Sequence, residues 1–119
     1  MRERWVNDVF IIEPSGDIHR VAISLDDVMA QATTLRESVG EPPDPIELDD
    51  GTLWVDRRAV ERHLAPNGLA SLLAGSNVLG TAVFTGRDSS GGIANLGDSA
   101  VRRLWACSKR LQLGEGSTG

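Results

Sequence analysis

Residues 77–85 read N-V-L-G-T-A-V-F-T, and the assignment of this stretch settles the fold. Its apolar character is continuous enough for a strand that lies centrally in a sheet. Two hairpins upstream supply its neighbours. Residues 5–12 (W-V-N-D-V-F-I-I) are rich in β-branched and aromatic types, and the run 13–17 (E-P-S-G-D) closes them with turn chemistry before the return strand 18–23 (I-H-R-V-A-I). Farther on, 46–48 alternates into Asp49-Asp50-Gly51 and out through 52–55 (T-L-W-V). An Asp-Gly step between alternating runs is a strong hairpin signal.

Between the hairpins, Leu25, Val28, Met29, Ala32, Leu35 and Val39 recur at helical spacing, with Ser24 as N-cap and Asp27 three residues on. The spacing predicts a helix over 25–38 that Gly40 terminates. Residues 41–45 (E-P-P-D-P) cannot continue a helix and read as an extended connector. Residues 57–64 (R-R-A-V-E-R-H-L) read as a short helix stopped by Pro66, and Asn67 caps a two-turn helix over 68–74 with Gly75 at its C′ position. After a flexible loop over 86–92, Asp98 or Ser99 opens a last helix to about Leu111. Its stripe is Val101, Leu104, Trp105, Ser108 and Leu111, with Arg102, Arg103, Lys109 and Arg110 mainly away from it. The reading is one α+β domain over 1–113, a small, mostly antiparallel sheet with helices packed on one face, and a disordered tail over 114–119. Trp54, Phe84, Leu104 and Trp105 are the expected core anchors.

The chain has 119 residues, enough for one modest core, and Cys107 is its only cysteine, which excludes an intrachain disulfide. The apolar stretches fall short of the roughly 20 residues of a membrane helix, and the opening Met-Arg-Glu-Arg-Trp is followed by Asn7 and Asp8. A cytoplasmic protein is expected, with no membrane contact. A net charge of −5 argues against a coat for nucleic-acid phosphate. That total hides a segregation. Residues 26–56 hold nine carboxylates against Arg36 alone, whereas 57–119 hold eight bases and four acids. Either the solvated faces differ in sign, or the molecule has two surfaces with different partners.

No catalytic constellation stands out. His19 and His63 are the only histidines, no Gly-x-Ser-x-Gly elbow accompanies them, and Cys107 reads as a small core residue. Asp49-Asp50-Gly51 lacks the closing Glu of a calcium loop, so no metal and no cofactor are expected. The loop 86–92 (G-R-D-S-S-G-G) offers backbone N–H groups and Arg87 to an anion, and Arg57, Arg58 and Arg62 form a second basic cluster suited to a phosphate-bearing ligand.

Taken in order, 11–16 (I-I-E-P-S-G), 48–51 (L-D-D-G) with 54–56 (W-V-D), 64–67 (L-A-P-N) with Leu69 and Ala70, 80–86 (G-T-A-V-F-T-G) and Leu96 resemble a small family from phages, plasmids and actinobacteria known only as a domain of unknown function. The likeness covers about residues 7–106. Where such sequences carry a Gly-bearing turn, this one has 57–63. The resemblance implies a mobile-element accessory gene and brings no catalytic residues with it.

The expectation that follows is a non-enzymatic, phage-type accessory protein that antagonises a host defence by sequestering a small phosphorylated, nucleotide-like signal. Arg57, Arg58, Asn67, Thr85 and Arg87 would supply charge-assisted contacts near the end of the late strand. A competing expectation uses the acidic stretch 26–56 as a face for a basic host protein, in the manner of a DNA mimic. A small enzyme acting on a nucleotide comes third. Small domains with an exposed strand edge often pair, which keeps a homo-oligomer open.

Overall fold

The computed structural model describes residues 6–24, 28–40, 43–89 and 92–118, with the side chains of 6–8, 24, 28 and 113–118 excepted. The first hairpin joins β1 (Val6–Ile12) to β2 (Ile18–Ser24). Its turn is closed by the Glu13 N–H donating to the Asp17 carbonyl at 2.9 Å, with Gly16 at φ 98°. After α1 (Val28–Ser38) the second hairpin joins β3 (Pro43–Leu48) to β4 (Gly51–Asp56) through the two residues Asp49 and Asp50. Gly51 is needed here because a Cβ would run into the Thr85 carbonyl and come within 3.2 Å of the Phe84 ring. Then follow α2 (Gly68–Ala74), β5 (Ala82–Arg87), the two-residue β6 (Ile93–Ala94) and α3 (Asp98–Thr118).

The strands form one antiparallel sheet in the order β2-β1-β5-β4-β3, and β6 folds back on the end of β5. The late strand is central, between the two hairpins, and the fold is α+β. It starts later than its apolar run, at Ala82, because Gly80 takes a positive φ of 82° and Val78 turns its main chain to Asn67 and Ser71. Pro43 to Pro45, expected in a connector, belong to β3, which the sheet accepts because β3 is an edge strand. The capping reading of Ser24 and Asp27 falls outside the described residues and side chains.

Residues 57–63 are a series of turns, where a short helix was expected. The buried Asp56 carboxylate accepts the Arg58 N–H at 2.8 Å, and His63 adopts φ 56°, a left-handed conformation that ends any helical run. The helix α2 has the expected ends: Asn67 Oδ1 accepts the Ala70 N–H at 3.0 Å, and Gly75 sits at φ 73°. Helical backbone in α3 runs on past Leu111 to Thr118, through most of the segment read as a tail.

The helices divide between the two faces of the sheet instead of gathering on one. Side-chain alternation explains the split. Phe10, Ile12, Leu53, Ala82 and Phe84 point to one face and pack with Leu69, Ala70 and Leu73 of α2 and Ala100, Leu104 and Cys107 of α3. Val9, Ile23 and Val83 point the other way and pack with Leu35 of α1 and Val39 just beyond it. Over residues 82–84 the strand β5 is apolar on both faces and needs cover on both, and α1 supplies the second.

Two of the expected anchors, Phe84 and Leu104, are fully buried, and Trp54 packs against the α1-side cluster. Trp105 does not anchor the core: it is 49% exposed and touches Phe10 edge to face. Of the expected stripe of α3, Leu104 is buried and Val101 and Leu111 pack on the core, while its fully buried flank runs through Ala100 and Cys107, whose small side chains let the helix lie close to the sheet. Among the described residues no helix is long and apolar enough to cross a membrane.

Candidate functional site

The residues expected to meet a phosphorylated ligand do not converge. Arg57 and Arg58 follow the C-terminal end of β4, whereas Arg87 ends β5, beside the start of β4. At about 3.3 Å per strand residue these ends lie about 20 Å apart. Arg57 donates to Asp44 Oδ1 at 3.3 Å, and Arg58 donates to Glu61 Oε1 at 2.8 Å; both pairs are on the surface. Arg62 reaches the buried Asp56 at 3.2 Å.

Thr85 and Asn67 are fully buried. The Thr85 hydroxyl accepts a hydrogen bond from the Trp54 indole at 3.0 Å. Asn67 uses its whole amide: Oδ1 caps α2, and Nδ2 donates to the carbonyls of Ile12 at 2.9 Å and Gly80 at 2.8 Å. This ties the end of β1, the start of β5 and α2 at one point. Arg87 clasps the second hairpin, donating to the main-chain carbonyls of Gly51 at 2.7 Å and Leu48 at 3.1 Å and to the Thr52 hydroxyl at 3.3 Å. A guanidinium suits that role because its several donors are fixed in one plane. Beyond it the Asp88 N–H donates to the Gly92 carbonyl at 2.9 Å and the Asp88 carboxylate accepts the Gly92 N–H, while Ser90 and Gly91 of the expected anion loop lie outside the described residues.

A residue that the sequence reading set aside does more. Arg103, expected on the outer face of α3, forks onto Asp50, with Nε to Oδ2 at 2.7 Å and NH2 to Oδ1 at 2.8 Å. It also donates to the Leu73 carbonyl at 3.1 Å and lies 5.9 Å from the centre of the Phe84 ring. The hydrogen bonds from Arg103 hold the Asp50 carboxyl below its ordinary value against the opposing effect of burial, and Asp50 in turn raises the guanidinium. The signal was present: 103 lies three residues after Ala100 and four before Cys107, on the buried flank.

Folding therefore closes the basic second half onto the acidic middle. Asp44, Asp50 and Asp56 each meet an arginine from beyond residue 56. What stays outward at the β3–β4 corner is acidic. Glu47 and Asp49 are exposed, and with Leu48, Asp50, Leu73 and Arg103 they line a shallow hollow of about 540 Å³. The histidines are elsewhere, His19 paired with Glu13 at 2.9 Å on the first turn and His63 exposed on the turns after β4. Comparison with family models, with curated proteins and with solved structures finds no match.

Proposed function

We propose that this protein works as a binding module whose β3–β4 corner receives a basic surface of a partner protein. One observation carries the reading: Arg103 locks Asp50 into the corner from the helix side, so Glu47 and Asp49 project outward from a fixed turn. Preorganised charge favours association because little conformational entropy is lost on contact. The small-anion reading has less support, since its arginines are engaged with carboxylates and carbonyls and stand at opposite ends of the sheet. The resemblance to mobile-element genes gives the binder a setting, in which the basic partner is a host defence protein in the cytoplasm.

The deciding experiment compares capture of partners from host lysate by the wild type, by a Glu47→Lys/Asp49→Lys double variant and by Glu37→Lys on the far helix. The expected result is a basic partner held by the wild type and Glu37→Lys and lost from the double variant. Retention by the double variant overturns the corner. A thermal shift of several degrees with a cyclic or sugar nucleotide, abolished by Arg57→Ala, would return the small-anion reading to first place.

A further inference from the structure

The two edges of the sheet are built differently. In a two-residue hairpin the residues flanking the loop form a hydrogen-bonded pair. With Leu48 opposite Gly51, the inward-bonding residues of β3 are 48, 46 and 44, and residues 47, 45 and 43 turn their main-chain groups outward. Pro43 and Pro45 both fall in the outward set, so that edge keeps a single N–H there, at the charged Glu47. A strand seeking to pair with β3 finds almost no donors.

Among the described residues the opposite edge has no such guard. The bond from the Glu13 N–H to the Asp17 carbonyl sets the alternation of the first hairpin, so His19, Val21 and Ile23 bond inward to β1. Ile18, Arg20, Ala22 and Ser24 turn outward, and none is proline. On the same margin the half-exposed Trp105 stands with Ile18, Arg20 and Val101 around a hollow of about 210 Å³.

We propose that β2 pairs antiparallel with the partner's β2 in a two-fold arrangement centred on Val21, joining two copies into one continuous sheet. The register follows from chemistry. Centring on Val21 sets Arg20 against the partner's Ala22 and Ile18 against the partner's Ser24, so every outward residue meets an outward counterpart. Centring on Arg20 would oppose two guanidinium groups, which destabilises a sheet pair, and centring on Ala22 would leave Ile18 beyond the end of the partner's strand. The Val21 side chain then meets the partner's Val21 across a non-hydrogen-bonded pair, where side chains are closest. Ile18 and Trp105 line the seam on the other face. The acidic corners at β3 come to lie at the two far ends of the joined sheet.

The test uses the full chain. In a Cys107→Ser background, Val21→Cys should form an intermolecular disulfide under mild oxidation, because Cα atoms about 4.5 Å apart fit that bond. His19→Cys, which the register places opposite the partner's Ile23, should cross-link at least about tenfold less. Sedimentation into the high-micromolar range should give a dimer for the wild type. Ala22→Pro deletes an outward N–H, as Pro45 does on β3, and should give a monomer with an unchanged circular dichroism spectrum. A monomeric wild type, equal cross-linking at 19 and 21, or a folded Ala22→Pro that stays dimeric overturns the proposal. If Ala22→Pro fails to fold, the two cysteine variants decide.

Discussion

The two ends of β4 solve one problem with different side chains. At its start, Arg87 and Arg103 reach across from β5 and α3 to hold the Leu48–Gly51 turn by its carbonyls and by Asp50. Beyond its far end, a neutral amide, Asn67, joins three elements with all of its hydrogen-bonding capacity, while Arg57 and Arg58 pair on the surface. Burial separates the two. A guanidinium keeps part of its hydration at the half-exposed end. At the far end the one buried charge among the described residues, Asp56, is held by the Arg58 N–H and by Arg62, and the enclosed joint itself is bridged by a neutral amide. Basic residues clustered in sequence are therefore a poor guide to where an arginine matters in this fold.

The largest effect should come from the buried joint. Asn67→Leu removes a helix cap and leaves two buried carbonyls without donors, for a loss of about 3–5 kcal/mol in urea unfolding. Asn67→Asp, which keeps the cap acceptor but turns the donor into a second acceptor, should fall nearly as far. If it stays close to wild type, the carbonyl bonds are not what holds this end. At the other end, Arg103→Ala should cost about 2 kcal/mol, partly by stranding Asp50, and Arg103→Lys should recover little of it because the fork is lost.

The pH dependence sharpens that second value. Asp50 has a carboxyl lowered from 3.8 in the folded chain, chiefly by its hydrogen bonds from Arg103. Its contribution is therefore complete above the unfolded value and is lost as the pH falls through the lower folded one. Unfolding of wild type and Asp50→Asn, measured from neutral pH down, should differ at pH 7, hold most of that difference to about pH 3.8 and converge only as the pH falls further, through the lowered folded value. A gap that persists in acid would mean that packing, not charge, sets the worth of the corner.

Smaller effects lie on the turns after β4. His63 sits at φ 56°, so His63→Val should lower stability by about 1 kcal/mol while His63→Gly is neutral or slightly stabilising. Smallest of all, Arg57→Ala and Arg58→Ala should leave the melting midpoint unchanged, since surface pairs contribute little. A marked loss in either would erase the contrast between the two ends.

The sequence was legible where local chemistry decides. Both hairpins, α2 with Asn67 and Gly75 at its ends, and the central place of β5 follow from turn residues, caps and apolar runs. It was least legible on α3. Trp105 widens the apolar stripe on one side and the small Ala100 barely marks the other, so periodicity places Arg103 away from the core although it lies between Ala100 and Cys107 on the buried flank. At 57–63 helix-forming residues lost to the Asp56 side chain and the left-handed His63, neither of which periodicity registers.

By itself, the sequence determined one α+β domain of two hairpins and a late central strand, since propensity, capping and turn geometry act within a few residues. Only the tertiary structure decided that α1 covers the opposite face from α2 and α3, that the arginines of the second half close on the acids of the middle, and that one sheet edge is guarded and the other open. Those outcomes depend on which groups are brought within hydrogen-bonding reach and kept from water, and sequence separation does not encode that distance.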